Sequence, residues 1–270
     1  MSALPQAAAA EDLVPALTDF VARCRFLPIP PPELHFAGDG DFRAIGAEFL
    51  GWFVGMGGMR STDKVLEIGC GVGRMAIPLT QYLDPAQGSY DGLDPVAAGI
   101  DWCAGAISGT YPNFTFRHLD IRSDVYNPEG TLDPTTLALP CETAAYDFVY
   151  LTSVFTHLRA DCVARYATEI ARVLKPGGRC FATFFLMNET ARRAIEAGGC
   201  RLAFAATGDG PEFLADPAYP SAAVAQTEDF ILHAFGQAGL HPGGPIRYGA
   251  WSGRSSDIYQ DIILFQKRAP

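Results

Sequence analysis

The chain is 270 residues long and 49% hydrophobic, enough for a sizeable core in one large α/β domain or one domain with a modest appendage, and too apolar for a disordered protein. Its 20 Lys and Arg against 30 Asp and Glu give a formal net charge of -10, which leaves no basic excess to neutralise a phosphate backbone and excludes nucleic acid as an expected partner. The 7 cysteines are odd in number, with no Cys-x-x-Cys pair and no zinc-like spacing; they read as reduced thiols of a cytoplasmic protein and give no reason to expect a metal.

Residues 1 to about 40 hold an Ala-rich segment and the cluster "LPIPPPELHF", which fits a partly helical arm followed by an extended link. The opening "MSALPQAAAAEDLV" has no Lys or Arg before its apolar patch and acidic residues after it, unlike a signal peptide. The run "AEFLGWFVGMGGM" is too short and too glycine-broken to span a bilayer, so no membrane partner is expected. In "DFRAIGAEFLGWFVGMGG" the residues Phe42, Ile45, Phe49, Leu50 and Phe53 recur at helical spacing. Residues 1–60 are therefore expected to form a helical arm or lid, and 61–270 the main domain.

From Lys64 the pattern changes to short apolar strands separated by helices: "KVLEI", "SYDGLD", "FTFRHL", "YDFVYLTS" and "RCFATFFL". This alternation predicts a mainly parallel sheet covered on both faces. The clearest helix is "DCVARYATEIARVLK", with Val163, Tyr166, Ile170, Val173 and Leu174 as one apolar stripe, Asp161 as its cap and "KPGG" as its stop. An insert at about 122–145 is long for a loop in a compact domain. After Leu186 come a helical piece, then an irregular stretch to about 225, a helix around "TEDFILHAFGQAGL", and a last strand "YQDIILFQK".

Gly69, Gly71 and Gly73 follow the first strand and admit two readings. Gly71-Val72-Gly73-Arg74-Met75-Ala76 fits the loose G-x-G-x-x-A dinucleotide fingerprint, with Asp94 about 20 residues on. Alternatively, the emphasis falls on Glu67-x-Gly69-x-Gly71-x-Gly73, with an anionic side chain at the strand tip. A pyrophosphate prefers a helix N-terminus free of acids; Glu67 suits an amine and a sulfonium better.

At these residues the sequence resembles the class I S-adenosylmethionine-dependent methyltransferases, in a bacterial form. "VLEIGCGVGR" is similar to their first motif, "DGLDP" to the end of the second strand, "HLDI" to the third, "YDFVYLTSVFTHL" to the fourth and "RVLKPGGR" to the fifth. The resemblance implies an α/β, Rossmann-like seven-stranded sheet of order 3-2-1-4-5-7-6, strand 7 antiparallel, with helices on both faces. "YQDIILFQK" would be strand 7 and the "GGPIRYGAW" region its partner. It also implies S-adenosyl-L-methionine as cofactor. Gly69, Gly71 and Gly73, with Cys70, would admit its methionine part, Glu67 would orient the amine, and Asp94, beside Pro95, would accept from the ribose hydroxyls. Asp120 and Ile121 would meet the adenine, and the backbone of Thr152 the methionyl group.

Methyl transfer from a sulfonium is an in-line displacement, so alignment and exclusion of water matter most, with a base needed only for an acceptor that loses a proton. His157, after the fourth strand at the carboxyl edge of the sheet, is the candidate base; the alternative is a helix-start histidine packed on the next loop. In "YGAWSGRSSDIYQD", Tyr248, Trp251 and Arg254 are candidates for binding a planar or anionic acceptor, the alternative being that the aromatics cover the sheet edge. The expectation is a transferase acting on a small molecule, a sugar or secondary metabolite methylated on oxygen or nitrogen, as monomer or homodimer. The acceptor site would be built by the arm, the insert at 122–145 and the region 187–225. Two other readings stay open: an NAD-dependent oxidoreductase on the same glycine loop, and a non-catalytic cofactor-binding partner subunit.

Overall fold

The computed structural model describes residues 14–36, 38 and 40–268; the Ala-rich opening of the expected arm lies outside the described residues. Helix α1 (Val14–Arg23) buries Val14 and Val21 in the same cluster as Phe42, Leu50 and Phe53 of α2 (Phe42–Gly55). Between them Pro32 opens a single 3-10 turn, where its fixed φ and missing N–H cost nothing. Asp41 caps α2 by accepting the Ala44 N–H at 2.7 Å. Phe53 then stacks 4.3 Å from Tyr150 and 5.0 Å from Phe181, which fixes α2 on one face of the central sheet.

That sheet is assembled from β1 (Lys64–Ile68), β2 (Ser89–Asp94), β3 (Phe114–His118), β4 (Tyr146–Leu151) and β5 (Leu174–Phe184). Helices α3 (Ala76–Leu79), α4 (Ala97–Cys103) and α5 (Ala160–Val173) connect them. A short β6 (Leu186–Met187), α6 (Glu189–Glu196), β7 (Ala205–Ala206), β8 (Glu212–Leu214) and β9 (Val224–Thr227) follow, then α7 (Glu228–Gln237), β10 (Leu240–Pro242) and β11 (Asp261–Lys267). The sheet order is β3-β2-β1-β4-β5-β11-β10, with β11 antiparallel to both neighbours. Counted along this sheet, it is 3-2-1-4-5-7-6, the order that the resemblance implies. Val163, Tyr166 and Ile170 of α5 and Phe235 of α7 fill one face. Leu50 and Phe53 of α2, Ile77 of α3 and Cys103 of α4 fill the other. A strand buried on both sides reads as an apolar run, which is why "KVLEI" and "YDFVYL" lack alternation.

Four expectations are corrected. Strand six is Leu240–Pro242, and "GGPIRYGAW" follows it, meeting β11 through the isolated Arg247–Ile262 bridge and through bonds from Gly243, Gly249 and Trp251. Helix α5 is not capped by Asp161: the Ala160 N–H donates to Glu212 of β8 at 2.9 Å, and Asp161 sits in the first turn. It also ends at Val173, so "KPGG" belongs to β5, where a register shift against β4 between Tyr146 and Phe148 absorbs it. The irregular stretch before residue 225 contains β7 and β8, which join β6 and β9 in a second sheet of order β6-β9-β8-β7.

Asp261 joins the two sheets. Its buried carboxylate accepts from the N–H groups of Leu186 and Gly249, each at 2.7 Å, and from Trp251 Nε1 at 2.6 Å. Asp261→Ala strands three buried donors and is expected to cost about 3 kcal/mol, measured as a lower urea midpoint with unchanged denaturant slope.

Candidate active site

The turn after β1 closes through left-handed backbone at Gly69, Gly71 and Gly73, with φ of 84°, 53° and 74°. Side chains are strained there, and a Cβ on Gly69 would run into Val154. The N–H groups of Gly69 and Cys70 both donate to Leu93 O, at 2.7 and 3.1 Å, tying the turn to β2. Cys70 is buried beneath, and burial pushes its thiol pKa up. Asp94 accepts from Gly71 N–H at 2.6 Å and Val96 N–H at 2.8 Å. Its carboxyl is therefore both the cap of the Asp94-Pro95 turn and a group held at the glycine turn. Burial raises its pKa to about 6 against the pull of those two hydrogen bonds.

Glu67 lies almost wholly out of solvent, and its Oε2 accepts from the hydroxyls of Tyr90 and of Tyr150, the latter at 2.7 Å. Burial raises its pKa to about 8; the two hydroxyls oppose that rise, and the charge of Asp94 adds to it. The folded cofactor-free state therefore keeps a proton that the unfolded chain has released, so this contribution to stability is lost as pH rises from 4.5 through 8. Asp94 and Asp261, each raised from 3.8 to about 6, act in the same direction at lower pH. Between about pH 6 and 7.5, Glu67→Gln is thus expected to flatten the decline of stability by up to about 1.4 kcal/mol per pH unit. Urea midpoints of the two proteins across that window measure it.

A cavity of about 480 Å³ opens over these groups, lined by Glu67, the glycine turn, Asp94, Pro95, Ile121, Thr152 and His157 among others. Asp120 is not part of this wall. Its carboxylate accepts from Thr131 Oγ1 at 2.6 Å and Asn127 Nδ2 at 3.0 Å, bonds that hold its pKa below the usual value and fold the insert back on itself. Within "HLDI", Leu119 and Ile121 reach the cavity and Asp120 does not.

His157 ends a 3-10 turn after β4. Its Nδ1 lies 2.8 Å from Ser221 O, so Nδ1 carries the proton and Nε2 the lone pair. Nε2 meets the Tyr126 hydroxyl at 3.4 Å. Burial pushes the imidazole pKa below its ordinary value, leaving the ring neutral near pH 7. Beside it, Ser153 has φ of 59° in a non-glycine residue, a strained conformation held by Thr183 and Gln260. Ser153 N–H donates to Thr183 Oγ1 at 2.7 Å, the Thr183 hydroxyl donates to Gln260 Oε1 at 2.6 Å, and Gln260 Nε2 donates to Ser153 Oγ at 2.9 Å.

The candidate acceptor residues fall elsewhere. Trp251 is 1% exposed and packs against Phe185 and Phe204, with its indole N–H on Asp261, so it is core. Arg254 lies over the Tyr248 ring at 4.4 Å and donates to Ser252 and Asn188, while the Tyr248 hydroxyl donates to Glu228. None of the three lines the cavity. The region 187–225 does not line it either, and reaches it through the Ser221 carbonyl. The rest of the wall comes from Phe49 and Trp52 of α2, within the expected arm, from Tyr126 of the expected insert, and from Tyr259 and Gln260 of the C-terminal span, ahead of β11. The helical spacing identified α2 but not which side chains face a cavity, and nothing local marks Ser153 or Gln260.

These residues fit S-adenosylmethionine: side-chain-free turns leave room for backbone approach, and two buried acids face a cationic ligand. They serve a dinucleotide pyrophosphate less well, since the helix after the turn, α3, spans only Ala76–Leu79 and offers it little of a helix N-terminus. Among the described residues no helix is long and apolar enough to cross a membrane, and no group of three or more His, Cys, Asp or Glu is placed to hold a metal.

Comparison with known proteins agrees. The chain is 34% identical over 121 residues to phthiotriol/phenolphthiotriol dimycocerosates methyltransferase 1 of Mycobacterium ulcerans, a match covering 44% of this chain and 36% of that protein. The Mycobacterium leprae phthiotriol/phenolphthiotriol dimycocerosates methyltransferase is 30% identical over 146 residues, 53% of this chain and 45% of that protein. The match thus spans less than half of the length of these curated relatives. In fold, the chain resembles a SAM-dependent methyltransferase of Methanosarcina mazei, with TM-score 0.53, 19% identity, and coverage of 80% of this chain and 98% of that one. It also resembles the 1,6-didemethyltoxoflavin-N1-methyltransferase of Burkholderia thailandensis, with TM-score 0.54, 15% identity, and coverage of 99% and 93%. Residues 17–205 match the family described as "Methyltransferase domain", and the chain belongs to that family, as a class I methyltransferase whose cofactor is S-adenosylmethionine.

Proposed function

We propose that the protein transfers a methyl group to a small-molecule acceptor, with His157 as general base. One observation carries this: a single cavity joins the glycine turn and Asp94 to the lone pair of His157 Nε2. Bound S-adenosylmethionine supplies an electrophilic methyl group on a sulfonium. Gly69 and Gly71 would admit its methionine end while Gly73 shapes the turn, Asp94 would accept from the ribose hydroxyls, Ile121 would pack on the adenine, and Glu67 would face the ligand's positive charge. Thr152 flanks the methionyl part. Ser221 fixes the His157 tautomer, so Nε2 takes a proton from an acceptor. The arm supplies Phe36, whose ring lies against Gly71 and Gly99 and excludes water, and the insert supplies Tyr126.

The mycobacterial relatives are named for phthiotriol and phenolphthiotriol dimycocerosates and the Burkholderia neighbour for 1,6-didemethyltoxoflavin, which supports an organic small molecule for this chain. A non-catalytic subunit would fill this space with side chains; here it is a cavity. The test is incubation with methyl-labelled cofactor and a panel of hydroxylated and amino acceptors. Label recovered in an acceptor supports the reading, and cofactor binding without transfer to any acceptor returns the chain to a partner subunit.

A further inference from the structure

The cavity continues past the methyl-transfer position to the β4–β5–β11 side of the sheet, and its character changes there. Phe49 and Trp52 of α2, Tyr126 of the insert and Tyr259 before β11 present ring after ring. Phe49 is backed by Phe181 of β5 at 6.3 Å, and Tyr126 stands edge-on to His157 at 5.4 Å, so these rings are held rather than loose. The polar groups on this side are neutral: the Ser153 hydroxyl, the Thr183 hydroxyl and the Gln260 amide, bonded to one another in a closed set. The acidic residues there are Glu48 on α2 and Asp257 ahead of β11. Of the arginines of the lining, Arg74 follows Gly73, and Arg122 stands in the insert four residues before Tyr126.

Resting on the methyltransferase reading, we propose that the acceptor is an uncharged aromatic hydroxyl compound, a phenol on a flat apolar ring system, methylated on its oxygen. Each part of the wall points to one property. Aromatic walls reward a flat apolar body through offset and edge contacts. A sugar would bring several hydroxyls to a wall whose neutral polar groups, Ser153, Thr183 and Gln260, are already bonded to one another, each unpaired hydroxyl costing about 1–3 kcal/mol. A carboxylated or phosphorylated acceptor would meet the Glu48 carboxylate, while Arg247, behind the lining, is engaged by Asp257 at 3.4 Å and by the Trp52 ring at 4.6 Å. Acidity decides between phenol and aliphatic alcohol. A neutral imidazole can take the proton of a phenol, with pKa of about 10, far more readily than that of an alcohol, close to water at about 15.7. The step balances: the phenolic oxygen forms the bond to the methyl carbon, sulfur keeps the electron pair of the broken bond, and the phenolic proton goes to His157 Nε2.

The experiment uses the full chain with methyl-labelled S-adenosylmethionine and four matched probes: 2-naphthol, a carboxylated naphthol, the saturated decalin alcohol and a methyl glycoside. Binding of S-adenosylhomocysteine is measured first by calorimetry. The expected result is binding, followed by transfer to 2-naphthol with kcat/KM about 100-fold or more above each of the other three, the factor that two unpaired polar groups impose. Comparable or faster transfer to the glycoside, the alcohol or the carboxylated ring overturns the acceptor class while leaving the methyltransferase reading in place. Cofactor binding with transfer to none of the four also overturns it. Failure to bind the cofactor product overturns the underlying reading instead. Glu48→Lys supplies a second readout: it should shift preference toward the carboxylated naphthol, and an unchanged ratio removes the charge argument.

Discussion

Asp94→Ala is expected to weaken S-adenosylmethionine binding 10- to 100-fold, roughly the value of one or two hydrogen bonds to a charged acceptor at about 1.5–3 kcal/mol. The carboxylate is 5% exposed, faces the cavity and is already oriented by the N–H groups of Gly71 and Val96, so little ordering is needed when the ribose arrives. Asp94→Asn keeps one acceptor oxygen and should lose less. Titration calorimetry with S-adenosylhomocysteine reads both variants, and circular dichroism checks that the turn has not unfolded. Full affinity in Asp94→Ala would remove the residue from the ribose site and leave it as the cap of the turn before Val96.

His157→Gln is expected to reduce kcat by about 100- to 10,000-fold, the usual range for losing a positioned base, with cofactor affinity unchanged. The side chain is half-buried between Ser221 and Tyr126, and glutamine can keep the bond to the Ser221 carbonyl, so packing is largely preserved. The pH profile separates chemistry from structure. Because burial lowers the imidazole pKa, the active neutral form dominates above the ordinary histidine value of 6.5, and kcat/KM should rise with pH below that value and stay level above it. In the variant this ionisation should vanish from the profile. An unaltered rate and profile would make His157 a packing residue on the Ser221 loop.

The strands and the glycine turn were readable for a physical reason, whereas the sheet order came from the resemblance. Strands buried on both faces must be continuous apolar runs, and left-handed backbone at φ of 53° to 84° leaves glycine as the residue that fits three times in five positions. Glu67 and Asp94 were legible because each ends a strand at the carboxyl edge, where open α/β sheets bind ligands. What stayed hidden depends on long-range pairing. The cap of α5 comes from Glu212, which lies 52 residues beyond Ala160 in sequence. Trp251 looked like a pocket residue because a tryptophan near the end of a chain gives no sign of burial, and Asp261 decides the matter by accepting its indole proton. Asp120 matched the motif, yet Thr131 and Asn127 claim its carboxylate because the insert folds back across it. The acceptor wall was the least legible part, being assembled from α2, the insert and the approach to β11, three segments that meet only in the folded chain.

The central claim is that the turn from Gly69 to Gly73, with Asp94, holds S-adenosylmethionine. Calorimetry of the purified chain with S-adenosylmethionine, S-adenosylhomocysteine and NAD tests it most directly. Saturable one-site binding of the first two, with no heat from NAD, is the predicted result. Binding of NAD with silence from both sulfur compounds would contradict the account and return Gly71, Gly73 and Asp94 to a dinucleotide site.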